Sequence, residues 1–226
     1  MKKLLLTILI LSQFVISNAE DKYWATPTVD TYIYATAKGT SYYSETLLPV
    51  HDVFADADYR SIIYFADIID SISGASSIDS ACLSLHYSFG AAGSAETRVF
   101  RMITDGSWWQ SAPADSKFCC WDYRYNSGST INWAAGQGDH SSTRTTDNSV
   151  LRALVDTVDT GYLEFDITNI ISDIKTAGVD YGFWLEAEYL DRVYWDSADD
   201  AGGDYPTLYI KYTVVAPGGG QVIIVR

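Results

Sequence analysis

Residues 81–89 read ACLSLHYSF, and their character changes at every step: Ala81, Leu83, Leu85, Tyr87 and Phe89 alternate with Cys82, Ser84, His86 and Ser88. Only an extended chain sends successive side chains to opposite faces. A two-residue period therefore predicts a strand with one face on a core and the other in water. The pattern recurs in DTYIYA from Asp30, RSIIYF from Arg60, TRVFRM from Thr97, GYLEFDI from Gly161, YGFWLEAEY from Tyr181, RVYWD from Arg192 and TLYIKYTV from Thr207. Eight such segments, joined by polar and glycine-rich connections, predict an all-β fold: a jelly-roll-like antiparallel β-sandwich.

Four stretches break the alternation. Residues 168–178 carry Ile170, Ile171 and Ile174 at helical spacing, with Thr168 placed to cap and Gly178 to terminate, which predicts one short helix plugging an end of the sandwich. Between Asp105 and Val158 the period fades into Ser, Thr, Asp, Asn and Gly around scattered aromatics, a long loop or hairpin excursion of the kind that more often carries function than connection. Residues 216–226 form a Gly-rich hinge and then the aliphatic run QVIIVR. At the other end, Met1-Lys2-Lys3, an apolar run to Ile16 and the small residues Ser17-Asn18-Ala19 read as a signal peptide of residues 1–19, cut before Glu20. The expected mature chain is one β-sandwich domain over 20–215, secreted to the extracellular space or cell surface, with no membrane span after signal removal.

Acidic residues number 29 against 15 basic ones, a formal charge of −14 that deepens once Lys2 and Lys3 are gone. Such a charge disfavours nucleic acid and anionic membranes. His51, His86 and His140 lie far apart, and the chain shows no nucleophile elbow, His-x-x-x-His pair or phosphate loop, so the reading is of a protein that is not an enzyme. His86, on the polar side of its strand, reads as a surface residue.

A sugar-binding surface needs flat rings for the C–H faces of the sugar and carboxylates or amides for its hydroxyls. The excursion offers Trp121, Tyr123, Tyr125 and Trp133 beside Asp122, Arg124, Asn126 and Asn132. Those rings suit a platform and equally the inner side of a hairpin. Trp184 is a second candidate, since its phase sets it beside Glu186 and Glu188. Asp52, Asp56 and Asp58 form one oxygen-rich loop suited to a structural calcium, and Asp196, Asp199, Asp200 and Asp204 a second; the plain alternative is solvated loop charge. Cys82 paired with Cys119 or Cys120 would close a loop of about 37 residues, worth about 3 to 4 kcal/mol. The strand of Val222, Ile223, Ile224 and Val225 either joins its own sheet or adds to the open edge of another subunit.

The order and spacing of VDTYIYA, RSIIYF, IDSACLSLHY, VFRMITDGSW, GYLEFDITNIISDI, DYGFWLEAE and PTLYIKY resemble the DNRLRE domain family over residues 29–212. These are secreted β-sandwich modules related to a carbohydrate-binding module family and to archaeal disaggregatase modules. Asp30-Thr31-Tyr32 matches the opening Asp-Thr-Tyr of the family, Arg60 the Arg of its second conserved strand, and Glu164-Phe165-Asp166 its late Glu-Phe-Asp. Phe65-Ala66-Asp67-Ile68 and Tyr43-Ser44 depart from its Phe-Asp-Leu and Tyr-Gly. The resemblance implies a non-catalytic module that binds polysaccharide or builds surface structures. Two functions follow as expectations. One is a secreted module binding polysaccharide or cell-surface glycan. The other is a structural subunit of an extracellular filament or surface assembly, a homo-oligomer built by strand addition through its C-terminal strand.

Overall fold

The longest alternating segment becomes the spine of the molecule. In the computed structural model, strand β5 runs from Ala75 to Gly90 and pairs three other strands, so the segments on either side of it in space come from distant parts of the chain. The structure describes residues 19–38, 40, 42–51, 58–90, 97–103, 120, 123–126, 130–132, 140–144, 161–187 and 192–214.

The remaining elements, in chain order, are β1 (Ala19–Ala25), β2 (Val29–Tyr34), β3 (Leu47–Val50), β4 (Tyr59–Tyr64), α1 (Ile68–Ile72), β6 (Thr97–Met102), β7 (Tyr123–Asn126), β8 (Thr130–Asn132), β9 (His140–Arg144), β10 (Gly161–Asp166), α2 (Thr168–Ala177), β11 (Phe183–Ala187), β12 (Val193–Asp196) and β13 (Thr207–Val214). All eight alternating segments are strands. The first sheet has the order β1-β13-β5-β12-β3, with β10 also on β5; the second is β2-β4-β11-β6-β9. The pairings are antiparallel. The excursion thus contributes a strand, β9, to the second sheet as well as the small hairpin β7-β8.

Alternation decides the core. Leu83, Leu85, Leu208, Ile210 and Trp195 of the first sheet meet Ile63, Val99, Phe183 and Leu185 of the second. Each fully buried side chain of this kind stabilises the fold by about 1.5–3 kcal/mol. Helix α2 adds Ile170, Ile171 and Ile174 as expected, and Gly178, at φ 67, ends it with its N–H donating to the carbonyl of Ile174. Its start differs from the expectation. Thr168 is the first helical residue rather than the cap; the carboxylate of Asp166 accepts both the Thr168 N–H at 2.9 Å and its hydroxyl at 2.6 Å. The same hydroxyl accepts the Ala81 N–H at 2.9 Å, tying the helix to β5. A second helix, α1, was not expected from the sequence.

Two further differences concern faces. The sequence places Trp184 on a solvent face beside Glu186, whereas it is fully buried in a second apolar layer with Ile33, Ala35, Ile62, Phe100 and Met102. These residues alternate with Ile63, Val99 and Leu185, so the second sheet is apolar on both sides. At Phe89 the face itself changes: Tyr194 pairs with Phe89 and Trp195 with Tyr87, which leaves Ser88 as an extra residue in the ladder. That bulge turns Phe89 out of the core, half exposed and stacked on Tyr194 at 4.2 Å.

Candidate binding groove

The outer face of the first sheet gathers small, polar and aromatic residues because those occupy the outward-facing phase of each strand. Register lines them up in rows. Trp24 of β1 pairs with Tyr209 of β13, Tyr209 with Cys82 of β5, and Cys82 with Asp166 of β10. The next row is Thr207, Ser84 and Glu164. Together with Ser80 and Ala81 these residues line a groove of about 570 Å3. Trp24 is 68% exposed, and its indole leans on the Tyr209 ring with centroids 4.4 Å apart at 47°. One wall is therefore aromatic, the floor carries hydroxyls and a thiol, and the opposite wall carries two exposed carboxylates.

No lysine, arginine or histidine stands among the described residues that line the groove. The electrostatic result is visible at Cys82, whose thiol is pushed up to about 11 by burial first and then by the charges of Glu164 and Asp166. Lys22 and Lys211 pair one row beyond, and both are engaged in contacts of their own.

The third row continues the surface. His86 pairs with Tyr162, and their rings meet edge to face at 5.0 Å. His86 Nδ1 lies 2.6 Å from Asp196 Oδ2, and its Nε2 4.0 Å from Asp204 Oδ2. The topology explains this meeting: β12 and β13 follow one another along β5, and residues 197–206 leave the sheet between them, carrying Asp204 back over His86. His86, Asp196 and Asp204 each bring one ligand atom within 4.8 Å of the others. A histidine nitrogen with two carboxylates suits a borderline ion such as zinc better than calcium, which prefers an all-oxygen shell. The short contact from Nδ1 to Asp196 is a complete hydrogen bond as it stands.

The residues singled out from sequence fall differently. Trp184 is withdrawn from the surface, its indole N–H donating to Glu186 at 3.3 Å and the Arg60 guanidinium standing over its ring. Tyr123 and Tyr125 lie on β7, in register with Asn132 and Ile131 of β8, while Trp121 and Trp133 are outside the described residues. So are Asp52 and Asp56; Asp58 forms an ion pair with Arg60 at 3.5 Å. In the second acidic loop, Asp200 accepts the Gly202 N–H within the loop, while Asp196, at the end of β12, holds His86 of β5. The disulfide expected between Cys82 and either Cys119 or Cys120 is not formed. Cys82 is a free thiol on the outward side of β5, and Cys120 is buried; Cys119 lies outside the described residues. The C-terminal strand expected to carry Val222, Ile223, Ile224 and Val225 also falls outside them.

Sequence reasoning missed Trp24, Tyr209, Glu164 and Asp166 as one site. The signal was present in part, since DKYWA from Asp21 alternates as a strand and the Tyr209 and Glu164 phases were readable. What was absent from the sequence was the register that joins four separate segments. No model of a known protein family matches the chain, and no curated protein matches it.

Proposed function

We propose that this protein is a secreted, non-catalytic glycan-binding module whose ligand lies in the groove on the first sheet. The observation that carries this reading is the exposed Trp24 ring, braced on Tyr209 and facing Glu164 and Asp166 across a hydroxyl-lined floor. The indole offers a face for the C–H side of a sugar ring, and the carboxylates and hydroxyls offer acceptors and donors for its hydroxyl groups. Binding is favoured over hydrolysis by where the two carboxylates stand. Glu164 and Asp166 project from one strand on one wall, whereas glycoside cleavage needs a pair flanking the scissile bond. The DNRLRE resemblance points to the same class of function.

Affinity electrophoresis through gels containing immobilised polysaccharides tests the proposal. Trp24→Ala and Glu164→Gln should each lose the retardation that the intact protein shows on its preferred polysaccharide, with melting temperature unchanged, because both side chains are exposed. Retardation that survives both substitutions would sink the groove as the binding site.

A further inference from the structure

We infer that the ligand of this surface is an extended, uncharged polysaccharide chain gripped at two aromatic stations, rather than a chain end or a single sugar. The inference rests on the glycan reading of the groove and goes beyond it in naming the form and charge of the ligand. Besides Trp24, a second exposed ring stands on the same face: Tyr162 is 46% exposed and lies two residues from Glu164 along β10. Trp24 and Asp166 share a row across four strands, and Tyr162 lies four residues from Asp166 along β10. With strands about 4.8 Å apart and about 3.3 Å of rise per residue, the two rings are separated by about 14 Å across and about 13 Å along, roughly 20 Å on the diagonal. Between them lies the polar row of Thr207, Ser84 and Glu164.

The second ring is held in place before any ligand arrives. His86 packs edge-on against Tyr162 and is itself fixed by Asp196, so ordering the Tyr162 side chain costs little on binding. The path from one ring to the other runs past Asp166 and Glu164 towards Asp204, all carboxylates. A polymer bearing uronates or sulfates would meet like charge along that course, while an uncharged chain would find hydrogen-bond acceptors.

Calorimetric titration of the full chain with neutral gluco-, manno- and xylo-oligosaccharides of one to eight units, and with uronate- and sulfate-bearing chains of matching length, tests this. In the neutral series that binds, affinity should rise about tenfold between the shortest members and those long enough to reach both rings, the gain of one further stacked ring and its neighbouring contacts. Tyr162→Ala should bring long chains down to the affinity of short ones and leave the short ones unchanged, whereas Trp24→Ala should weaken every length. Affinity that does not depend on length, or a preference for anionic chains, overturns this inference and leaves the groove reading standing. Binding of none of these sugars overturns both.

Discussion

Asp30 is buried on β2, and its carboxylate accepts the Ala198 N–H at 2.7 Å across the gap between the sheets. Burial is the largest cause of its displaced titration. Against the favourable hydrogen bond from Ala198, and with the charge of Asp199 adding to burial, its pKa rises from 3.8 to about 7. That displacement corresponds to about 4 kcal/mol. The folded state binds this proton more tightly than the unfolded chain does. The stabilisation is therefore fully present below the unfolded pKa and is lost as pH rises through about 7. Asp30→Asn keeps an oxygen for the Ala198 N–H and removes the ionisation. At pH 8 the variant should be the more stable protein by up to about 4 kcal/mol, less whatever its amide N–H groups lose for want of acceptors; near pH 4 the two should differ little. For a chain of this size the pH 8 difference amounts to roughly 10 °C in melting temperature. Melting followed by circular dichroism from pH 4 to pH 8 reads it directly, and the quantity to plot is the variant minus the parent. Asp180, raised to about 6 by burial, adds its own slope to both proteins and cancels in that difference. Parallel curves for parent and variant across the whole range would refute the argument.

One further substitution and one labelling reaction separate core from surface. Trp184→Ala should cost about 3–5 kcal/mol by urea titration, since the ring is fully buried, and an effect as small as that of an exposed tryptophan would return Trp184 to the surface. Cys82 should react sluggishly with an aromatic disulfide reagent at pH 8. Its thiolate population there is about 90-fold below that of an ordinary thiol, and its greater intrinsic nucleophilicity recovers only about six- to tenfold of this. Peptide mapping by mass spectrometry should therefore show labelling roughly tenfold slower in the native protein than in the urea-unfolded chain; equal rates would contradict the raised titration.

Alternation was enough to place the eight strands and the inward residues of β5, because which side chains share a face depends only on the extended backbone. It cannot tell whether a face is covered. Trp184 shares its side of β11 with Glu186, and the glutamate invited a solvent reading. The contrary signal lay in neighbouring strands: Ile62 beside Ile63, and Val99 beside Phe100, are apolar at both phases, as expected of a sheet buried on both sides. Phe89 was misread for another reason, since a single unpaired residue at Ser88 reverses the phase and leaves no mark in the local pattern. The groove and the His86 contacts depend on pairings between residues far apart in sequence; His86 and Asp196 are 110 positions apart. The acids of residues 196–204 were legible as a cluster, but not that one of them would hold a histidine.

The position of β13 has a consequence in time. This last described strand lies between β1 and β5, with Val214 paired to Ala19, so the earliest part of the domain waits for nearly the latest before it has a partner. At about 5–20 residues per second of synthesis, β1 remains unpaired for roughly 10–40 s. From the moment β5 is made, its edge from Ala75 to Ser84 is open as well, facing a gap that Thr207–Val214 fills. A ribosome stalled between Gly90 and Thr207 would therefore hold a chain with two unsatisfied strand edges and an incomplete core, one that depends on chaperones to escape aggregation.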